Sequence, residues 1–394
     1  LLYDDAGMEK IYEKFRDAKV DGLFVPHCNF GTEYEVCRLA KKLNVPVLLW
    51  GPRDECPDEN GMRLRDSQCG LFATGKVLRT FGIPFTYLKN CNLEDECFAE
   101  GIDRFLRVCN VVKAFRNTRV LQISTRPFDF WSTMCNEGEL LEKFGIQLSP
   151  IPMPELTQAM KDVKENSPEE IKEVTDYCRE KMCIKVTPEQ LDNVAALKIA
   201  MTRLGKKYGC NCGAIQCWNA LQDEIGIMPC AANALCNDEG FPIACETDIH
   251  GTITSVLVEA AAMGETRSFF ADWTVRHPYN DNAELLQHCG PWPISIAKEK
   301  PTIDTPVAFD CSGSLMAQAK DGEHISLVRF DGDNGEYSLL LGNAKTVDGP
   351  YTKGTYMWVE VENLDRLEDK LVQGPYIHHC VGVHQDVVPV LYEA

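Results

Sequence analysis

No run of about 18 apolar residues occurs in the sequence. No basic stretch leads into an apolar core near the N-terminus. We therefore expect neither a transmembrane helix nor a signal peptide, and we predict a cytoplasmic protein. Positive charge is also scarce, since 40 Lys and Arg stand against 59 Asp and Glu and leave a net charge of −19. A nucleic-acid-binding protein must neutralise phosphates with Lys and Arg, so the composition predicts no nucleic-acid partner.

Paired cysteines with the two-residue spacing of zinc ribbons are also absent, although the sequence has 19 cysteines. Many of them lie within apolar runs, and no secretory signal accompanies them, which favours reduced thiols over a disulfide framework. Cys210 and Cys212, with Cys217, Cys230 and Cys236 nearby, resemble a zinc or iron–sulfur site only in their number. We interpret them as small buried apolar side chains.

Short apolar strands alternate with amphipathic helices over the first two thirds of the chain. Asp21–Pro26 and Val45–Trp50 are typical of buried strands, and helices are predicted over Tyr34–Leu43 and Glu96–Arg116. This alternation indicates βαβ units with a parallel sheet. Since the chain opens inside such a unit, we expect the first domain to lack its first strand. Another strand, predicted over Arg119–Ser124, begins a second domain.

Two helix starts in this second domain carry capping motifs. Ser167 precedes Pro168 and stands three residues before Glu170, and Thr187 stands three residues before Gln190. Each pair has the pattern of a capping box, in which the two residues satisfy each other's backbone N–H groups.

Helical periodicity fades after about residue 266, where Gly, Asp, Asn and Thr separate short apolar runs. That rhythm is typical of an antiparallel β domain. We therefore predict an α/β fold class. It comprises two Rossmann-like α/β domains with a parallel sheet, at residues 1–116 and 117–266, followed by a β-rich, antiparallel barrel-like domain at residues 267–394.

Two acidic residues follow predicted strands. Glu246 comes after the apolar run Phe241–Cys245 and before a predicted helix over Thr252–Met263. The pattern recurs where Asp272 ends a strand predicted over Arg267–Ala271. Open α/β sheets bind ligands at the carboxyl ends of their strands, so both carboxylates are candidates for a chemical role. The alternative is that each is a solvated turn residue.

Histidines are concentrated downstream of these carboxylates. His378, His379 and His384 fall within seven residues, and His288 precedes them. A single histidine on an apolar strand is more often a hydrogen-bonded core residue, but a cluster favours a metal site. Oxygen and imidazole ligands without thiolates favour manganese, magnesium or iron(II) over a structural zinc.

Four segments resemble the signature segments of the L-fucose/L-arabinose isomerase family, in the family's order. They are Cys-Glu-Thr-Asp-Ile-His-Gly at 245–251, Phe-Phe-Ala-Asp-Trp at 269–273, Gln-His-Cys-Gly-Pro-Trp-Pro at 287–293 and His-His-Cys-Val-Gly-Val-His at 378–384. The resemblance runs from about Asp21 to the last residue. It implies conversion of aldoses to ketoses with one divalent metal, Mn²⁺ or another such as Mg²⁺, Co²⁺ or Fe²⁺.

The resemblance also implies roles for individual residues. Glu246 and Asp272 become catalytic carboxylates and metal ligands. The late histidine ligand falls on His378 or His379, with His379 preferred. His288 matches an extra ligand of the arabinose-isomerase branch, which the fucose branch lacks. The family further implies a homo-trimer or homo-hexamer with shared active sites.

For the sugar itself, we expect Gln216, Trp292 and His378 to contact hydroxyl groups, although Trp292 between two prolines is also typical of a packing residue. The segment His27–Glu33 is similar to a family segment that reaches a neighbouring subunit's active site. Cys28 stands there in place of the aromatic residue of the fucose branch. We therefore predict a permissive pocket, active on more than one of L-fucose, D-arabinose and L-arabinose.

The function predicted is a metal-dependent aldose–ketose isomerase that acts on a free deoxy-hexose or pentose through an enediol. Such a reaction moves a proton between C2 and C1, which two carboxylates can carry as general base and general acid. A metal-dependent aldolase or lyase, or a non-catalytic sugar-binding protein, remains an alternative. Two facing carboxylates argue against binding alone.

Overall fold

The computed structural model describes residue 2 and residues 4–306 and 310–394. The chain forms two compact units, one from the residues up to Lys113 together with Val390–Ala394, the other from Ala114–Pro389. The boundaries of the three domains predicted from the sequence stay a prediction. Among the helices that the structure describes, none has both the length and the apolar character needed to cross a membrane.

The first unit contains a parallel sheet of three strands, in chain order from edge to edge. The parallel pairing confirms the βαβ units that the alternation predicted. Buried Leu49 and Leu78 belong to the core between sheet and helices. The strands are β1 (Leu23–Pro26), β2 (Val47–Trp50) and β3 (Thr86–Tyr87), and the helices are α1 (Asp5–Asp17), α2 (Glu33–Leu43), α3 (Ser67–Thr80) and α4 (Glu96–Arg116).

The second unit begins with another α/β region. Its strands are β4 (Arg119–Ile123), β5 (Gln147–Ile151), β6 (Cys183–Ile184), β7 (Cys212–Ile215) and β8 (Ile243–Ala244). Four of them form the parallel sheet that was predicted, and their order in it is β5-β4-β7-β8. The helices are α5 (Glu137–Phe144), α6 (Met153–Asn166), α7 (Pro168–Lys181), α8 (Pro188–Tyr208), α9 (Ala220–Ile225), α10 (Cys230–Asp238) and α11 (Ile249–Ala261).

Strand β8 is shorter than the predicted run Phe241–Cys245. Only Ile243 and Ala244 pair with β7. Pro242 has no N–H to give to the ladder, and the backbone turns sharply at Glu246, where φ is 52°. The carboxylate nevertheless follows the carboxyl end of a strand of this parallel sheet, as predicted.

The two capping predictions have different outcomes. At the start of α8, Gln190 N–H donates to Thr187 Oγ1 over 3.2 Å, and Thr187 N–H donates to Gln190 Oε1 over 3.0 Å, so this capping box is confirmed. Helix α7 also begins after Ser167, but the Ser167 hydroxyl accepts a hydrogen bond from Arg203 over 2.9 Å instead. Glu170 pairs with the same Arg203, so the second box is wrong.

The rest of the second unit is a β domain whose main strands close on themselves. Strands β9 (Phe269–His277), β10 (Asn280–His288), β13 (Ile325–Asp333), β14 (Glu336–Val347), β15 (Thr355–Val361) and β16 (His379–Val383) pair in the ring order β10-β9-β16-β13-β14-β15, and β15 pairs back to β10. Every pair in the ring is antiparallel, which confirms the antiparallel barrel. Strands β11 (Thr302–Asp304) and β12 (Ser314–Gln318) extend the sheet from β15 to β6, and helix α12 (Leu364–Gln373) follows. The last helix is α13 (Val388–Glu393), whose residues from Val390 onward belong to the first unit.

Asp272 lies inside β9, so the prediction that it ends a strand is wrong. It is paired with Gln287 of β10 on one side and with His379 of β16 on the other. Phe269, Ala271 and Trp273 of the same strand belong to the buried core of the barrel. Because successive side chains of a strand alternate between faces, Asp272 points to the opposite face.

Candidate metal and acid–base site

The turn after β8 holds Glu246 in an uncommon backbone conformation. Glu246 and the β-branched Thr247 have φ values of 52° and 53°, in the left-handed region that such residues rarely adopt. Hydrogen bonds hold the turn, since Thr247 N–H donates to Ile215 O over 3.0 Å and Thr247 Oγ1 donates to Thr125 O over 3.0 Å. Backbone strain of this kind is concentrated at functional sites, where surrounding contacts maintain it.

Four side chains predicted from the sequence converge beside this turn. His288 Nε2 lies 3.4 Å from Glu246 Oε2 and 3.9 Å from Asp272 Oδ1. His379 Nε2 lies 3.8 Å from Glu246 Oε2 and 3.4 Å from Asp272 Oδ1. Glu246 and both imidazoles are buried, whereas the Asp272 side chain is 26% exposed. The group therefore opens to solvent on the side of Asp272.

The donor atoms of this group fit a divalent cation. Glu246 Oε2 and Asp272 Oδ1 are shielded from solvent yet have no hydrogen-bond partner among the residues that the structure describes. Ligands at about 2.1 Å from an ion stand about 3.0 Å apart in octahedral and about 3.4 Å apart in tetrahedral geometry. The observed separations of 3.4–3.9 Å need only a small contraction. Carboxylate and imidazole donors suit manganese, magnesium or iron(II).

The electrostatics of the group favour an ionised Glu246. Burial alone would raise the pKa of Glu246, but the neighbouring His288 and His379 outweigh it and lower that pKa. Burial alone would lower the pKa of His288, but the carboxylates of Asp272 and Glu246 outweigh it and raise that pKa to about 9. The site therefore keeps negative charge that a cation would neutralise.

The two adjacent histidines occupy different environments. His379 is buried, and its Nδ1 lies 2.8 Å from Asp248 Oδ2 while its Nε2 faces the two carboxylates. His378 is exposed, with its ring centroid 4.1 Å from that of His379. The structure thus places His379 in two groups of potential ligands, one with Glu246 and His288 and one with Asp272 and His378, whose ligand atoms lie within 4.8 Å of one another. His378 lies at the solvent edge of the second group, beside the ring of Phe130.

The other residues predicted to contact sugar are placed differently. Gln216 follows β7, and its Oε1 accepts a 2.7 Å hydrogen bond from the hydroxyl of Ser124. Trp292 is 1% exposed, and its indole N–H donates to Phe270 O over 2.6 Å. It packs on Phe269 in the barrel core, so the structure places it outside the cluster and in the packing position that was its alternative.

Several residues at the site were not singled out from the sequence. The ring of Phe130, in the segment after β4, is nearly parallel to the His379 ring, with 6.4 Å between the ring centroids. Its centroid lies 4.9 Å from that of the Trp218 ring. Cys217 donates its S–H to Glu246 Oε1 over 3.3 Å. Fully buried Arg329 pairs with Asp248. An arginine inside the apolar run Ile325–Phe330 was a signal for a buried carboxylate partner.

Burial alone would raise the pKa of Asp248, but the charge of Arg329 and the contact with His379 outweigh it. They hold the pKa of this carboxyl far below its usual range. Asp248 is therefore an anion behind the imidazole of His379.

Comparison with known proteins gives two findings. Residues 1–116 match the family model described as the fucose/sulfoquinovose isomerase N-terminal domain. Over 393 residues the chain is 24% identical to the sulfoquinovose isomerase of Priestia megaterium (strain ATCC 12872 / QMB1551). The aligned region covers 98% of this chain and 86% of that protein. A second sulfoquinovose isomerase, from Alkalicoccus urumqiensis, is 24% identical over 357 residues, covering 89% of this chain and 79% of that protein.

Proposed function

We propose that this chain, which belongs to the L-fucose isomerase family, is an aldose–ketose isomerase with its active site at Glu246, Asp272, His288 and His379. The observation that carries the proposal is the pair of carboxylate oxygens without hydrogen-bond partners, each within 3.4–3.9 Å of the same two imidazole nitrogens. Two such carboxylates supply the base and the acid that isomerisation needs.

The two carboxylates differ in a way that suits proton transfer. Isomerisation removes the proton from C2 of the aldose and delivers a proton to C1, so one group must be charged while the other is protonated. The Glu246 side chain is 5% exposed and hydrogen-bonded by Cys217, whereas the Asp272 side chain is 26% exposed. Different surroundings let two carboxylates hold different protonation states at one pH.

We assign a divalent cation, Mn²⁺ in the first place, to Glu246, Asp272 and His379, with His288 as a fourth donor. When bound, this ion supplies Lewis acidity toward the sugar carbonyl. The two imidazoles add no negative charge when neutral, so the ligand charge comes from the carboxylates alone. Phe270 packs against both rings, with centroids 5.2 Å from His288 and 4.7 Å from His379, and keeps them in place.

For the substrate, we propose a sulfonated aldose of the sulfoquinovose type, because the relatives above carry that name. A sulfonate needs a cation, and Arg126 stands on the segment that borders the site. Its Nη1 donates to the carbonyls of Pro127 and Phe128, and its guanidinium lies 4.6 Å from the Trp131 ring centroid. No carboxylate among the described residues forms an ion pair with it, and the preceding Thr125 is bonded to the Glu246 turn.

The second candidate is a neutral aldose, namely L-fucose, D-arabinose or L-arabinose, as the four signature segments favour. Manganese-loaded protein should be incubated in D₂O with sulfoquinovose and with each neutral aldose, and ketose formation should be followed by NMR. We expect the highest kcat/KM with sulfoquinovose, with deuterium at C1 of the ketose. Arg126→Gln should lower kcat/KM for sulfoquinovose more than for L-fucose.

Two outcomes would refute parts of this proposal. If no aldose reacted, or if carbon–carbon cleavage accompanied the label, the isomerase assignment would fail. If only neutral aldoses reacted, and Arg126→Gln had no selective effect, the sulfonate assignment would fail while the isomerase assignment stood.

We also infer an assembly of three or six subunits with shared active sites, on the family resemblance alone. Light scattering on active protein tests it. A stable, active monomer would contradict it.

A further inference from the structure

Behind His379 lies a buried chain of polar side chains, Asp248, Arg329, Asp331 and His250, which we call the inner network. Asp248 touches His379, Arg329 lies between Asp248 and Asp331, and His250 Nδ1 lies 3.0 Å from Asp331 Oδ1. We propose that Asp248, held by Arg329, is a positioning residue that fixes the tautomer and orientation of His379. This rests on the proposed function only in assigning a use to His379 Nε2.

Four hydrogen bonds hold the Asp248 carboxylate in one orientation. Its Oδ2 accepts from His379 Nδ1 over 2.8 Å and from Arg329 Nη1. Its Oδ1 accepts from Arg329 Nη2 over 3.1 Å and from Gly251 N–H over 2.9 Å, the latter as N-cap of α11. An ionised carboxylate can only accept hydrogen bonds, so the proton of this contact belongs to Nδ1 of the imidazole.

The consequence appears on the other side of the ring. A neutral imidazole carries one N–H, so a proton on Nδ1 leaves an unprotonated lone pair on Nε2. His379 Nε2 is the atom that lies 3.4 Å from Asp272 Oδ1 and 3.8 Å from Glu246 Oε2. Asp248 thereby presents a lone pair, not an N–H, to the place where the two carboxylate oxygens meet.

Arg329 fixes the orientation of the Asp248 carboxylate. Its side chain is fully buried, and its Nη1 and Nη2 donate to the two oxygens of Asp248. Its Nε donates to Asp331 Oδ2 over 2.8 Å, and its Nη2 lies 2.8 Å from the same oxygen. A planar guanidinium that is bound at both ends by carboxylates cannot rotate without losing several bonds. The Asp248 carboxylate is therefore tied to β13 of the barrel as well as to α11.

His288 shows that this support is not general for the buried histidines of the site. Its Nε2 faces the same two carboxylates, but its Nδ1 has no hydrogen-bond partner among the described residues. One of the two imidazoles is thus oriented by a carboxylate and the other is not. The orienting effect of Asp248 is therefore specific to His379 and does not extend to His288.

The first test needs no substitution and no sugar. Metal-free protein labelled with ¹⁵N-histidine should be examined by NMR at an alkaline pH, where imidazole is neutral. We expect His379 to carry its proton on Nδ1. A proton on Nε2 instead would overturn the proposal, whether or not the protein isomerises any sugar.

The second test is Asp248→Asn, which keeps the shape of the side chain and can present an N–H₂ group to Nδ1. We expect the Kd for Mn²⁺ to rise roughly 10- to 100-fold, as when other carboxylates that support a ligating histidine are removed. Asp331→Asn is the matched control, since it removes a carboxylate from the same Arg329 without touching His379. We expect it to leave the Kd within about threefold while lowering Tm.

The two variants separate positioning from simple stability. A wild-type Kd in Asp248→Asn, or equal rises in both variants, would overturn the proposal. Mn²⁺ binding is measured by its EPR signal without substrate, so an enzyme inactive on every aldose would refute the proposed function and leave this result interpretable.

Discussion

The side of the site toward α11 and β13 is closed, whereas the side toward the segment after β4 is open. On the closed side, Asp248 and Arg329 are at most 1% exposed, and both oxygens of Asp248 have two hydrogen-bond donors. On the open side, His378 is exposed, and Phe128 and Trp131 are 81% and 59% exposed.

This difference separates two tasks. Buried ion pairs bring little net stability, because desolvation offsets their attraction. The closed side is therefore better explained by the geometry it imposes on His379 than by the stability it adds. The open side has aromatic and imidazole groups without such constraint, as a surface that admits a sugar requires.

Metal removal should have the largest effect on activity, since the metal would be bound by the donor atoms that lie between the closed side and the open side. Exhaustive chelation should abolish isomerase activity, and Mn²⁺ should restore it better than Zn²⁺, because the donors are carboxylate and imidazole. Activity is measured as ketose formed before and after each addition. Full turnover in chelated protein would contradict a metal site at Glu246 and Asp272.

Removal of either carboxylate should rank next. Glu246→Gln and Asp272→Asn should each lower kcat by roughly 10³-fold or more, because each removes a proton carrier. Glu259→Gln is the control, since this glutamate of α11, whose side chain is 11% exposed, is bonded to Ser268 instead. Steady-state kinetics with metal binding checked in each variant would decide. Near-normal kcat in either site variant would remove that residue from the mechanism.

Arg329→Met tests the closed side alone. It leaves the carboxylates of Asp248 and Asp331 buried without their cation, so we expect a loss of roughly 3–5 kcal/mol in the free energy of unfolding. Arg276 also pairs with two carboxylates, Asp365 and Glu368, but on the surface. Arg276→Met should cost about 1 kcal/mol or less.

Urea unfolding of both arginine variants provides the measurement. Equal losses would mean that burial does not distinguish the two networks, and the contrast between the two sides would lose its energetic basis.

The residue types at the site and the α/β alternation were predictable because both are local in the sequence. Glu246, Asp272, His288 and His379 stand in four short segments, and the structure brings them together. The capping box of Thr187 was also predictable, since its two residues need only each other. The capping box predicted at Ser167 does not form, because Arg203, 36 residues away, donates a hydrogen bond to the Ser167 hydroxyl.

Distant pairing explains what the sequence could not provide. The contact between Asp248 and Arg329 joins residues 81 positions apart, and it depends on the register of β13 in the barrel. The position of Asp272 inside β9 likewise follows from pairing with β10 and β16. Period-two patterns predict which residues share a face but not which strand lies beside them.

The open side should respond weakly to substitution. His378→Asn should lower kcat/KM by about tenfold or less and leave the Kd for Mn²⁺ unchanged. A His378 ring nitrogen lies within 4.8 Å of ligand atoms of Asp272 and His379, but this ring is exposed and does not share the buried position of His379. His379→Asn is the matched comparison and should abolish tight Mn²⁺ binding. If His378→Asn weakened Mn²⁺ binding as much, His378 would be a metal ligand as well as His379.

An effect on stability alone, and not on activity, is expected at Glu284, a buried carboxylate of the barrel that differs from Asp248 in lacking an ion pair with any described cation. Burial, with some help from Glu368, raises its pKa to about 7. The folded state therefore holds a proton that the unfolded chain releases near its ordinary pKa of 4.5. Protonated Glu284 therefore contributes a free energy of folding that is fully present below pH 4.5 and is lost as the pH rises through 7.

Glu284→Gln removes this titration while keeping the shape of the side chain. At pH 8 the variant should be more stable than the wild type by on the order of 1–3 kcal/mol. The advantage should shrink as the pH falls toward the ordinary pKa, where the wild-type carboxyl is neutral in both states. Urea unfolding at pH 5 and pH 8 checks the slope. A difference that stayed constant between the two pH values would mean that Glu284 is ionised in the fold, so that burial without a bound arginine is enough to hold a carboxylate charge in this barrel.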